Sequence, residues 1–155
     1  MKPERRGYAN DLGRRYPEGT DIQVQCLPAI RGALDLRAGN ASQAVKALAA
    51  NLPFELGAGC VLSMYPAYLR AQAYFAAHQG EAAAREFQKI LDHPGVVLNE
   101  ITGSLAHLGL GRAYAVAGDS AKARTAYQDF LALWQEADPD VPLLRAAKAE
   151  YAKLR

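Results

Sequence analysis

SLAHLGLGRAYAVAGDSAKARTAYQDFLALWQEAD, residues 104–138, is the stretch on which the fold turns. Ala117-Gly118-Asp119-Ser120 at its middle reads as a hinge between two antiparallel helices, because glycine is preferred just past a helix end and Asp or Ser as the cap of the next. Beyond the hinge, Ala123, Ala126, Tyr127, Phe130, Leu131 and Trp134 follow the 3.6-residue period and make one apolar stripe. Before it, small Gly111, Ala113 and Ala117 let two backbones approach, with Tyr114 filling the space beside them. The stretch is therefore expected to form a helical hairpin.

Working outward, a second copy lies forty residues upstream, from Tyr65 to Gly95. Ala73, Tyr74, Ala77, Ala83, Gln88 and Leu91 recur as Ala113, Tyr114, Ala117, Ala123, Gln128 and Leu131, and Phe87 recurs as Tyr127. In so alanine-rich a chain, the aromatic and Gln matches carry the inference. Gln79-Gly80 reads as the hinge and His93-Pro94-Gly95 as the stop. A weaker copy precedes it, a helix from Asp21 to Ala38 and another from Ala41 to Asn51, in which Gly32 aligns with Gly111, Ala38-Gly39 with Ala117-Gly118, and Ala44 with Ala123. Pro28 either kinks the first of these helices or marks its first turn. Leu52 to Ser63 and Val96 to Gly103 read as loops.

At the start, Pro3 to Arg15 reads as a short charged helix with Tyr8 and Leu12 one turn apart, closed by Tyr16-Pro17-Glu18-Gly19. It resembles the second half of a hairpin and suggests a segment of a longer protein. At the other end Pro142 opens a helix whose stripe, Leu144, Ala147, Tyr151 and Leu154, stands opposite Arg145, Lys148, Glu150 and Lys153, as suits a capping element. The expected organisation is all-α and a single domain: a partial hairpin at 3–18, repeats at about 21–51, 64–95 and 104–138, and a capping helix at 141–155.

The 155 residues, half of them apolar, suffice for one core. A net charge of +2 is too weak to argue for nucleic acid. The basic clusters (Lys2, Arg5, Arg6, Arg14 and Arg15; Arg145, Lys148, Lys153 and Arg155) lack interleaved aromatics and read as solvated faces. No apolar run approaches the roughly 18 residues of a membrane span, and no signal peptide opens the chain. A soluble cytoplasmic chain is the expectation, or an extracytoplasmic one if the parent protein is membrane-anchored. Cys26 and Cys60 have no metal-ligand spacing and are expected to be inert buried thiols. The Gly-x-Gly-Cys run ending at Cys60 has no nearby His to activate a nucleophile. His78, His93 and His107 lack the spacing of a zinc-binding helix, Gly109-x-Gly111 follows no strand and reads as a helix-crossing device, and Asp138-Pro139-Asp140 lacks the rest of a calcium ladder. No catalytic residue, metal or cofactor is expected.

Leu110-Gly111-x-x-Tyr114, followed by Ala123 and Tyr127, resembles the tetratricopeptide repeat. The match departs at His107, where that family has an early Trp, and at the late Pro139, which implies a longer second helix. The resemblance implies a right-handed α-solenoid of about three hairpins with flanking helices, in which the first helix of each hairpin lines a concave wall. Carried over by position, the wall comprises Tyr65, Tyr68, Gln72 and Phe75 from one repeat and Leu105, Leu108, Arg112 and Ala115 from the next. The matching set in the first repeat, Cys26, Ala29, Ala33 and Leu36, is expected to pack internally. Tyr65, Tyr68, Gln72, Phe75, Leu108 and Arg112 are the candidate peptide-groove residues. The Lys and Asn of the family's carboxylate clamp are missing, so chaperone C-termini are not expected as ligands.

FQKILDHPG (residues 87–95), the hairpin of residues 106–134, and ADPDVPLLRAAKAEYAKL (residues 137–154) further resemble the C-terminal repeat region of large bacterial serine/threonine kinases and of some winged-helix regulators. No kinase motif accompanies them, and Asp129-Phe130-Leu131 falls inside an amphipathic helix. The resemblance implies a non-enzymatic module that binds a protein or peptide partner, without nucleic acid and without direct membrane insertion. The alternative is a self-assembling element that pairs as a homodimer through its terminal helices; the chain alone is then a monomer or a homodimer.

Overall fold

The computed structural model describes residues 4–57 and 64–154, which are helical with no strand among them. In chain order the helices are α1 (Glu4–Arg15), α2 (Leu27–Arg37), α3 (Ala41–Leu48), α4 (Tyr65–Ala76), α5 (Gly80–Leu91), α6 (Pro94–Val97), α7 (Ile101–Ala117), α8 (Ser120–Leu133) and α9 (Pro142–Ala152). None of the described helices is long and apolar enough to cross a membrane.

Three hairpins, α2–α3, α4–α5 and α7–α8, are joined by the same turn. The N–H groups of Asn40, Gln79 and Asp119 donate to the carbonyls of Asp35, Tyr74 and Tyr114, each at 2.9 Å. This 6→1 bond closes a helix through one left-handed residue. That residue is Gly39 (φ +79°), His78 (φ +56°) and Gly118 (φ +82°) in turn. The same Asn40, Gln79 and Asp119 then start the next helix, their carbonyls accepting from Ala44, Ala83 and Ala123 at 3.0 Å. In the middle hairpin the hinge thus falls at His78, not at Gly80.

Gly80 has another role. A Cβ there would stand 2.7 Å from the carbonyl oxygen of Ala113 and the backbone nitrogen of Ala117, so its lack of a side chain sets how closely α5 meets α7. Gly80→Ala is expected to destabilise by about 1–2 kcal/mol, the overpacking cost exceeding the gain in helix propensity. Gly7→Ala, in α1 with nothing within 4 Å of its Cβ, is expected to stabilise by about 0.5–1 kcal/mol. Urea unfolding checks both, and equal shifts of one sign would refute the close-approach reading.

The crossing inside each hairpin also repeats. A Cβ at Gly32 would meet the Leu48 side chain at 2.5 Å, and one at Gly111 would meet the Tyr127 ring at 2.8 Å. Phe87 occupies the matching position of α5, with buried Ala71 at the matching position of α4. Gly109 serves the next interface, its missing Cβ leaving room for the Phe87 ring at 2.4 Å. Small residues on one helix and large ones on its partner thereby set both the hairpins and their stacking. One core cluster joins α4, α5 and α7 around Phe87, Ile90, Ala106 and Leu110. Another joins α7, α8 and α9 around Leu108, Tyr127, Phe130 and Leu144.

Of the two roles expected of Pro28, it takes the second and marks the first turn of α2. The five residues Ile22–Cys26 form a π turn that runs into α2, with Pro28 in the first turn of α2. Proline has no N–H and its ring crowds the carbonyl four residues back, so the wider π turn relieves that contact. Asn51, from the 3₁₀ segment Ala49–Phe54 that follows α3, donates to the Gln25 carbonyl at 2.8 Å and ties the two irregular segments together.

Several expectations need correction. Cys26 is disulfide-bonded and half-buried, not an inert buried thiol; Cys60 and the Gly-x-Gly-Cys run end outside the described residues. α6 (Pro94–Val97) takes up the expected stop at His93-Pro94-Gly95 and the start of the loop expected from Val96 to Gly103, and α7 begins inside that loop at Ile101. Tyr8 is 72% exposed, whereas Ala9 is buried and Leu12 half-buried. The second helix of the last hairpin does not run on to the late proline: α8 ends at Leu133, well before Pro139.

Candidate functional site

Five of the six groove positions line one cavity. Tyr68, Gln72 and Phe75 reach it from α4, and Leu108 and Arg112 from α7, where Leu105 and Gly109 complete the wall. Its volume is about 70 Å³. Spacing of three and four residues places each trio on one helix face. Phe87 of α5 forms the floor, its ring edge-on to Tyr68 with centroids 5.8 Å apart. Tyr65 stands outside the cavity, stacked on Tyr68 at 6.5 Å and 19° between planes. Burial pushes the Tyr68 phenol above its ordinary value, which keeps it a neutral hydrogen-bonding group near neutral pH.

Leu108 is 2% exposed, and its side chain packs under α9 in the second core cluster. Arg112 is not a free cation. Its Nε and Nη2 donate to the Glu150 carboxylate of α9, each at 2.8 Å, and the Tyr127 hydroxyl donates to the same carboxylate at 2.8 Å. The hydrogen bonds that Arg112 donates to Glu150 hold its pKa above the usual value. Glu150 responds in reverse: burial pushes it up, and the bonds from Arg112 and Tyr127 outweigh that and hold it below the usual carboxylate range.

Glu150 was therefore misassigned to the solvated face of the last helix. Its signal was positional, since it follows Ala147 by three residues and adjoins Tyr151, both on the packed face. Leu143, also from α9, closes one side of the cavity. The sequence pattern gave it no role, because it lies beside the stripe through Leu144. Of the first-repeat positions, Ala29 is buried, and Cys26, Ala33 and Leu36 are half-buried.

The three histidines are dispersed. His78 holds a left-handed turn, the His93 Nδ1 lies 2.8 Å from the Lys89 carbonyl, and the His107 Nδ1 is buried 3.9 Å from Asp129. Burial holds His107 below its usual pKa despite that carboxylate. Phe130, the centre of the Asp-Phe-Leu run, is fully buried core. Among the described residues no group of three or more His, Cys, Asp or Glu side chains is placed to hold a metal ion.

The arrangement offers a small apolar slot with an amide at one side and a neutralised guanidinium at its rim. Gln72 and Tyr68 place an amide and a hydroxyl beside its apolar lining of Phe75, Phe87, Leu105, Leu108 and Leu143. No protein-family model matches the chain, and no curated protein or solved structure matches it either.

Proposed function

We propose that the chain is a tetratricopeptide-like α-solenoid, a non-enzymatic module that binds a peptide or partner helix along the wall formed by α4 and α7. The observation that carries this reading is the convergence of Tyr68, Gln72, Phe75, Leu108 and Arg112 on one slot. Recurrence of the 6→1 turn at Asn40, Gln79 and Asp119 supports the repeat architecture. Within this reading the chain is the repeat region of a bacterial signalling protein such as a serine/threonine kinase. The disulfide at Cys26 favours an extracytoplasmic placement, because such bonds persist in oxidising compartments.

Selection of peptides from a random library, followed by calorimetric titration, tests the proposal. Tyr68→Ala is expected to weaken the selected peptide by about tenfold or more, the usual cost of losing an aromatic anchor. Peptides whose affinity survives both Tyr68→Ala and Gln72→Ala bind elsewhere and would sink it.

Self-assembly through the terminal helices is the second reading, favoured by the exposed Tyr8 of α1. It requires a mass above 16.7 kDa in light scattering that rises with concentration.

A further inference from the structure

A second cleft lies away from the wall just described, between α1 and the α2–α3 hairpin. It has a volume of about 390 Å³, and its lining includes Arg6, Asn10, Arg31, Asp35, Gln43 and Lys46. Arg6 pairs with Asp35, which is 8% exposed and so holds the guanidinium against the hairpin. Arg31 and Lys46 are exposed and have no carboxylate partner among the described residues. The cleft therefore carries two positive charges in excess.

The next hairpin shows what this position can do. Arg70 of α4 occupies the place of Arg31 when the hairpins are aligned on their turns, and it is clamped by the carboxylates of Glu55 and Glu86. In the first hairpin the counterpart of Glu86 is Ala47. Arg31 thus has the position of a clamped guanidinium without the carboxylates. The corresponding cleft between α5 and the α7–α8 turn is different. There Lys122 pairs with Asp119 at 2.9 Å and Arg85 with Glu81 at 3.9 Å, and Asp92 adds a further negative charge. Of these two clefts, only the first carries excess positive charge.

We propose that the cleft between α1 and the α2–α3 hairpin binds an acidic peptide segment of a protein partner, with two of its carboxylates supplying Arg31 and Lys46 with the counter-charges the chain omits. Arg31 takes one carboxylate through its planar fork, as Arg70 does internally, and Lys46 takes the next. Asn10 and Gln43 offer amide groups to the peptide backbone between them. The site is separate from the apolar slot, so each can be occupied without the other.

The test is fluorescence anisotropy of a labelled hexaglutamate peptide with the full chain at low salt. Arg31→Glu with Lys46→Glu is expected to weaken binding by about tenfold or more, and about 300 mM salt to weaken wild-type binding similarly. Both side chains are exposed, so circular dichroism and the unfolding midpoint should stay near wild type. Reversal of Arg145 and Lys148, exposed on α9, should leave the affinity unchanged. Equal losses in the two reversals would mean unspecific attraction and overturn the proposal. So would binding of pyrophosphate without the peptide, which marks a small-anion site. Tyr68→Ala should not alter hexaglutamate binding; if it does, the peptide lies in the apolar slot and this assignment fails while the slot stands.

Discussion

Arg70→Ala is expected to destabilise the fold by about 3–5 kcal/mol, the cost of breaking a buried ion pair and leaving the Glu55 carboxylate with Lys89 alone. The Arg70 side chain is 2% exposed and that of Glu55 is fully buried. Nη1 donates to Glu55, while Nε and Nη2 reach Glu86 at 2.9 and 2.5 Å. Lys89 donates to the second oxygen of Glu55. This cluster fastens the segment after α3 to α4 and α5, where few apolar contacts hold it: Leu52, Phe54 and Leu56 all face solvent. Replacing Arg70, Glu55 and Glu86 together with apolar residues of similar volume should recover most of the loss, since what destabilises is the unpaired charge and not the missing bridge. Urea unfolding of the single and triple variants decides this. A single variant within about 1 kcal/mol of wild type would mean that Glu55 reaches water, and the buried-cluster account would fail.

The same cluster sets a pH dependence. Burial pushes the Glu55 carboxyl up, but hydrogen bonds from Arg70 and Lys89 outweigh it and hold the group below its ordinary range. A carboxyl depressed in the folded state stabilises fully above its unfolded pKa of roughly 4.3, and that stability drains as pH falls through the folded value. Wild type is therefore expected to lose stability on acidification below about pH 5, with Glu150 adding in the same direction. The Arg70→Ala variant should show a shallower acid limb, because Glu55 then keeps only Lys89. Identical limbs would sever the link.

The hairpins were legible because their determinants are local. Gly39 and Gly118 sit at left-handed turns, and the small-on-large crossings at Gly32 and Gly111 repeat at fixed spacing. The middle hinge was misplaced because His78 takes a conformation that glycine normally signals, while the adjacent Gly80 is needed for close approach to α7. The Arg70 cluster left no local trace: its carboxylates come from 15 and 16 residues away, and an Arg inside an apolar helix reads as a surface residue until its partners are placed. Glu150 was lost for the same reason, its guanidinium partner lying 38 residues upstream. Spacing arguments place residues on faces but do not say which polar residues of different helices meet. That the α4 and α7 residues meet at one slot follows from their position within a repeat, whereas Leu143, which belongs to no repeat, gave no such signal.

That last helix separates stability from binding. Leu144 is 1% exposed in the cluster with Leu108, Tyr127 and Phe130, so Leu144→Ala is expected to cost about 2–5 kcal/mol from lost burial and the cavity left behind. Leu143, one residue earlier, is half-buried at the slot, and Leu143→Ala is expected to cost no more than about 1 kcal/mol. Leu143→Ala widens the slot and shifts its preference toward bulkier apolar side chains. Leu144→Ala should loosen α9 as a whole, since Glu150 then holds Arg112 and Tyr127 from a poorly anchored helix, and amide exchange along Pro142–Ala152 should quicken ahead of the rest of the chain. Urea midpoints, peptide titration and residue-resolved exchange on the two variants test the separation. If Leu144→Ala unfolds α7 and α8 together with α9, the helix is an integral layer of the fold; if α9 exchanges early alone, it is a detachable cover that carries Leu143 at the edge of the slot.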